Sequence, residues 1–449
     1  MTARLIAERP PTGAQRAYRF PDVVRRRVAG GDVVAADLPG QALGVARLLL
    51  DAGADREPAG REGLAPVAAK ALEEGTRYRD SAAFAMALER LGGTVTTSVD
   101  WDTLQVGTQV PVDRLPAAVE LVAEAVRAPR LDPDDVVRVR DDEATALVMR
   151  WANPGPRADA ALRAEVFSGQ RYGRPMGGTP GSVAAVTVDD VVRFHGERLS
   201  NAGVLVVAAD LDRVDLDALG AAAFAGAPAQ PAGRREPMLI VPAGTRRILV
   251  VDRPGSVQSV LRLGHAAPHR AHPDYVPMLL ASTVLGGAFT SRLNHLIREV
   301  RGYSYGIRAE FAQSRRSGRF GVSCSVQTAA TAPALVDTVG EITGLVAGGV
   351  TEAELDVARS YRAGSLSVEM QTPSSIARAL ATIVVHGLPD DHPAVLRREL
   401  LASTVAEVSS AAAAYLKPDG LILVVEGDAA TVRDDLIATG LGEVVDVVV

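Results

Sequence analysis

Two side chains between Leu285 and Gly306 have types and spacing that suit peptide-bond chemistry, Arg298 and Tyr305. A guanidinium and a phenol aimed at one point make a pair of donors for an oxygen that gains negative charge, as a carbonyl oxygen does when its peptide bond is attacked. The elements that must aim them are visible around them. Leu293, Leu296, Ile297 and Val300 recur at i, i+3, i+4 and i+7, the apolar stripe of a helix, and Gly302 stands where such a helix ends. Tyr303, Tyr305 and Ile307 then alternate with Ser304, Gly306 and Arg308, the period of a strand. The spacing predicts Arg298 in the last helical turn and Tyr305 early in the strand, converging at the turn between them. A plain structural reading stands beside this one: an Arg there complements the helix dipole, and a Tyr at a strand start packs.

Other reactive residues are scattered. His265, His269 and His272 lie close together but in a Pro-interrupted segment, which suits a loop better than a metal site. Cys324, the single cysteine, shares one strand face with Phe320, Val322 and Val326 and reads as a small buried hydrophobe. It also excludes an internal disulfide framework, so a reducing compartment is expected. The pairs Gly177-Gly178 and Gly286-Gly287 lack the spacing and Lys of a phosphate loop.

The chain has 449 residues, too many for one ordinary core, and a formal charge of −6 with acidic and basic residues interspersed. That pattern offers no field for nucleic acid or an anionic membrane surface. The first residues lack the apolar segment of a secretory signal, and no run reaches the length of a membrane span, so a cytoplasmic protein is expected.

Internal repetition organises the rest. Pro39-Gly40 with Val45, Arg47 and Leu48 matches Pro254-Gly255 with Val260, Arg262 and Leu263 at one constant offset. At nearly the same offset, Thr187, Val188, Asp190, Val191, Leu199 and Gly203 match Thr404, Val405, Glu407, Val408, Leu416 and Gly420. Each match runs into an apolar strand, Val204 to Val207 and Leu421 to Val425. The expected organisation is an N-terminal arm over 1–20, a first domain over 21–225, a Pro/Gly-rich linker over 226–237 and a second domain over 238–449. The expected fold class is α+β: two homologous domains, each a mainly antiparallel sheet with helices packed on one face.

Read with the duplication, the Arg298/Tyr305 stretch resembles the insulinase or pitrilysin family of zinc peptidases, in particular its two-domain bacterial subunits similar to mitochondrial processing peptidase. The resemblance rests on Gly286-Gly287, Ser291-Arg292-Leu293, Ile297-Arg298-Glu299, Gly302 and Tyr305. It implies that Arg298 and Tyr305 are catalytic, as the pair that reaches the carbonyl of the scissile bond. The first half departs from the family where the metal would be held. Gly63-Leu64-Ala65 leads not into His-x-x-Glu-His but into Pro66, Ala69 and Lys70, and the position of the distal ligand falls on Ala146 or Leu147. A proline has no donor atom and an ammonium repels a cation, so no metal and no cofactor are expected in this chain. Glu73, Glu74 and Glu143 would need a register shift to substitute, and His195 is the only histidine in the first half.

The resemblance therefore implies a zinc-free subunit, inactive alone, of a heteromeric metallopeptidase. Its expected partner is a homologous subunit that carries zinc on His-x-x-Glu-His, and its substrate a peptide. The alternative is an inert peptide-binding or scaffold protein of the same fold.

Overall fold

The computed structural model describes residues 18–228 and 244–448. Residues 1–17 of the arm and 229–237 of the linker lie outside the described residues.

The first half contributes β1 (Val23–Val28), β2 (Gly31–Asp37), β3 (Leu43–Leu50), a short hairpin β4 (Gly75–Thr76) and β5 (Arg79–Asp80), β6 (Val95–Val99), β7 (Leu104–Pro111) and β8 (Val204–Ala209). Its helices are α1 (Leu64–Ala71), α2 (Ser81–Glu89), α3 (Leu115–Arg127), α4 (Pro133–Ala152), α5 (Pro156–Val166), α6 (Pro180–Ala184), α7 (Val188–Phe194) and α8 (Leu216–Phe224). The second half contributes β9 (Arg247–Asp252), β10 (Gln258–Ala267), β11 (Ile307–Gln313), β12 (Gly318–Gln327), β13 (Ile422–Gly427) and β14 (Glu443–Asp446). Its helices are α9 (Tyr275–Ser282), α10 (Thr331–Gly348), α11 (Glu352–Glu369), α12 (Pro373–His386), α13 (His392–Ala402), α14 (Val405–Tyr415) and α15 (Ala429–Ala438).

The sheet orders show the duplication in space. One six-stranded sheet runs β1-β2-β8-β3-β7-β6 and the other runs β11-β12-β10-β13-β9-β14, so the order β2-β8-β3-β7-β6 corresponds strand for strand to β9-β13-β10-β12-β11. Pairing is antiparallel except for β2 with β8, β13 with β9 and β14 with β9. Neither Pro-Gly turn closes a hairpin, because the last long strand of each half inserts between the two strands the turn connects. The repeat extends to side chains. The Gly40 N–H donates to Asp210 at 3.1 Å and the Gly255 N–H to Asp428 at 3.0 Å. Asp37 and Asp252 in turn accept from the Leu211 and Ala429 N–H groups, both at 3.1 Å. Gly40 and Gly255 have φ of +76° and +73°, the left-handed region that favours glycine in such a turn.

Strand alternation sends successive residues to opposite faces, and both faces of each sheet are buried. Val33, Ala35, Leu48, Leu205 and Val207 pack against helices of their own half, whereas Val34, Ala36, Val45, Leu49 and Val206 pack against Ile376, Leu380 and Ile383 of α12. The exchange is reciprocal. Leu249, Val251, Val260 and Val424 of the second sheet pack against Ala158, Ala161 and Leu162 of α5. Helices on one face thus describes each half by itself, and the other half lends a single helix to the second face. Each large aliphatic side chain so buried contributes about 1.5–3 kcal/mol, so the exchanged helices help hold the halves together. A buried carboxylate reinforces it: Glu426 on β13 accepts from the Gly155 N–H at 2.9 Å, at the start of α5, and from Arg253 at 3.2 Å.

Among the described residues no single helix is long and apolar enough to cross a membrane.

Candidate functional site

The Arg298/Tyr305 stretch is built from the end of α9 onward. α9 continues into a wider π-helical turn, Thr283–Gly287, that ends at the glycine pair. A side chain on Gly286 would lie 2.7 Å from the backbone nitrogen of Ala309 on β11, so only glycine allows the strand to cross there. Ser291 then opens a second helical segment, whose last part, Asn294–Val300, is again π-wound. Leu293 and Ile297 are fully buried, but Val300 is exposed. The wider winding explains this departure from the expected stripe, since it advances fewer degrees per residue and carries position i+7 off the apolar face.

Three polar anchors fix the segment. Arg292 forms a two-pronged ion pair with Glu354 at 2.6 and 2.8 Å and also donates to the Gly349 carbonyl at 2.8 Å. Hydrogen bonds from Arg292 hold the Glu354 carboxyl down at about 2. Glu354 also closes the capping box of α11 with Thr351, so the segment is tied to the start of that helix. Arg301 pairs with Asp337 of α10 at 2.9 Å. The third anchor is Asn294, whose buried amide donates to the carbonyls of Ile307 at 2.9 Å and Ala288 at 3.2 Å and accepts from the Ile307 N–H at 3.3 Å. Asn294 acts as a surrogate strand for the first residue of β11, and so ties the far end of the loop that carries Tyr305 to the helical segment before it.

Tyr305 lies in that loop and not in a strand; β11 begins only at Ile307. Gly302 takes φ +64°, and the Ser304 hydroxyl donates to the Gly306 carbonyl at 2.8 Å, so local turns replace strand pairing over these residues. The Tyr305 side chain is fully exposed. Arg298 sits with its guanidinium carbon 4.0 Å from the ring centre of Phe289 and lies 3.5 Å from Glu299. The fold thus places the pair at opposite ends of one turn, and no hydrogen bond joins them among the described residues. Phe289 is itself 70% exposed, whereas the Arg298 side chain that it covers is 31% exposed.

At α1 the donors do not fit a metal. Pro66 is half-buried in the first turn, Ala69 is buried, and Lys70 is exposed and pairs with Glu73 at 3.3 Å. Glu73 also accepts from the Thr97 hydroxyl at 2.5 Å, and Glu74 pairs with Arg138. Ala146 is exposed and Leu147 is buried. Among the described residues no group of three or more His, Cys, Asp and Glu side chains could hold a metal ion. The carboxylate that serves α1 is Glu57. It accepts from the N–H groups of Gly63 at 3.1 Å and Ala65 at 2.9 Å, the free donors of the helix start, and pairs with buried Arg171. Burial pushes the Glu57 carboxyl up to about 7 against the pull of Arg171 and those two N–H groups.

The remaining reactive residues serve the fold. His265 is buried on β10, not in a loop, stacked on Phe320 at 5.2 Å. Its Nε2 accepts from the Lys417 N–H at 3.1 Å, which leaves the proton on Nδ1 facing the Ala266 carbonyl. His195 lies against the Val126 carbonyl at 2.8 Å. Burial pushes the Cys324 thiol up to about 12. Asn294 and Glu57 escaped the sequence reading; a polar residue beside Leu293 in an apolar stripe was the one available sign of the first.

Fold and site together define a class: a duplicated α+β chain of metallopeptidase type whose metal helix has no donors. The insulinase family (peptidase family M16) matches over residues 32–180, and the peptidase M16 inactive domain over residues 185–361. This chain belongs to the insulinase family. It is 27% identical over 374 residues to an uncharacterized zinc protease of Mycobacterium leprae, covering 80% of this chain and 82% of that one. It is also 23% identical to the non-peptidase homolog YmxG of Helicobacter pylori, covering 81% of this chain and 84% of that one. The crystal structure of a peptidase M16 inactive domain from Pseudomonas fluorescens superposes with a TM-score of 0.83 at 25% identity, covering 90% of this chain and 98% of that one. These likenesses, with the donor-free α1, support a catalytically inert member of the family.

Proposed function

We propose that this chain is the zinc-free subunit of a heteromeric metallopeptidase, closing over a homologous subunit that carries zinc on a His-x-x-Glu-His helix. In this reading the partner activates the attacking water, and Arg298 and Tyr305 receive the substrate carbonyl oxygen as it gains charge. A preorganised donor of this kind is worth about 3–4 kcal/mol in a water-excluded site. The observation that carries the reading is an asymmetry. α1 is devoid of metal donors, whereas the turn bearing Arg298 and Tyr305 is held by Gly286, Arg292 and Asn294 and leaves Tyr305 exposed and Arg298 partly exposed. A peptide substrate would add to the edge of β6, which among the described residues pairs only with β7. The lone buried thiol suits a cytoplasmic setting.

The alternative, an inert peptide-binding or scaffold protein, draws on one observation: Arg298 is occupied by Phe289 and Glu299 and does not meet Tyr305. Co-expression with a zinc-binding homologous chain separates the two. The first reading expects a stable pair that cleaves unfolded peptides while neither chain does so alone; binding without any gain in cleavage selects the scaffold.

A further inference from the structure

A cavity of about 440 Å³ lies between the end of α11, the outer side of α12 and the start of α13, within the 300–1,000 Å³ range of small-molecule sites. Its lining is mixed: Leu366, Met370, Ile383 and Leu396 give it apolar walls, and Gln371, Thr372, Ser375 and Thr382 add uncharged polar groups along α12 and the turn before it. Its polar end is Arg270, from the loop after β10, together with His392. The guanidinium of Arg270 is stacked 3.4 Å from the ring centre of Tyr275, and its Nη2 lies 2.9 Å from His392 Nε2. The imidazole nitrogen accepts that bond, so His392 is neutral. Burial acts in the same direction, pushing His392 down to about 4.

Arg270 is thus a largely buried cation whose two close partners are an aromatic face and an uncharged imidazole, and among the described residues no carboxylate pairs with it. A buried charge without a counter-ion is costly, and an anion arriving at the cavity relieves that cost. Arg378, which also lines the cavity, is exposed, forms no ion pair among the described residues and lies close enough to Arg47 for the two charges to repel. Glu369 is the one acidic residue of the lining, and it is exposed.

We propose that this cavity binds a monocarboxylate carried on an apolar chain, its carboxylate received by Arg270 and its chain by Leu366, Met370, Ile383 and Leu396. Two sources offer that chemistry, a free fatty acid and the C-terminal carboxylate of an apolar peptide. This site is separate from the Arg298/Tyr305 turn and does not depend on the reading given to it.

The test is calorimetric titration of the full chain with octanoate and with acetyl-trileucine, each beside its methyl ester. The expected result is that one of the acids binds with Kd below about 1 mM and its ester at least tenfold more weakly, the difference one charge-assisted pair makes. Arg270→Met should remove that preference for the acid. Ala379→Trp, which fills the cavity and leaves Arg270 in place, should abolish binding of acid and ester alike; it serves if the first variant does not fold. Whichever acid binds more tightly identifies the source. Failure of both acids to bind below 1 mM, acid and ester binding equally, or unchanged binding in both variants overturns the proposal.

Discussion

Replacing Asn294 with Ala removes the amide that joins the π-wound segment to β11. Three backbone groups then lose a partner: the Ile307 carbonyl at 2.9 Å, the Ala288 carbonyl at 3.2 Å and the Ile307 N–H at 3.3 Å. A buried polar group left unpaired costs about 1–3 kcal/mol, and the Ile307 carbonyl and N–H are two such groups, whereas the Ala288 carbonyl keeps the Ser291 N–H at 3.1 Å. The neighbouring loop is exposed at Ser304, Tyr305 and Gly306 in varying degree, so water can reach part of the gap. The expected destabilisation is therefore about 2–3 kcal/mol, or a fall in Tm of about 5–10 °C for a unit of this size. Urea unfolding followed by circular dichroism gives the free energy. The loop should loosen as well, seen as faster amide exchange at Ile307 and Arg308. A loss under about 0.5 kcal/mol, with exchange unchanged, would refute the idea that Asn294 fixes the Tyr305 loop.

Acid should destabilise the protein well above the usual carboxylate range. Burial lowers His265, His386 and His392 to about 4, 3 and 4. Their folded values lie below that of the unfolded chain, so the stability they contribute is complete above pH ~6.5 and is lost as pH falls toward ~4. Glu57, raised by burial, works in the opposite sense between about 7 and 4.5. Three histidines against one carboxylate give a net loss, and equal urea midpoints at pH 7.5 and 5 would contradict it. Glu426→Ala strands the Gly155 N–H and Arg253 in the interface between the halves and should cost about 3–5 kcal/mol, with the two sheets then unfolding in separate steps; a single unshifted transition would count against it. The purified chain dialysed against zinc should retain well under one equivalent by atomic absorption, and Glu73→Ala or Glu74→Ala should leave that residue of metal unchanged.

What could be read from the chain alone were features set by nearest neighbours. The apolar runs at Val204 and Leu421 became β8 and β13. The duplication was legible because both copies retain the same turn residues. Long-range pairing was not: nothing local says that β8 inserts between β2 and β3, or that α5 and α12 each cover the other half's sheet. Tyr305 misled because alternation around a Gly and a Ser can describe either a strand or a loop, and here Gly302 and the Ser304 hydroxyl decided for the loop. Val300 misled because a stripe is counted at 3.6 residues per turn, and the segment winds more widely.

The most direct test of the functional account is the turnover of the reconstituted two-subunit complex with Arg298→Ala and Tyr305→Phe in this chain. The account predicts a fall in kcat of about 100-fold or more, the usual cost of removing an oxyanion donor, with the partner's zinc content and the stability of the pair unchanged. A kcat equal to that of the unaltered complex would contradict it.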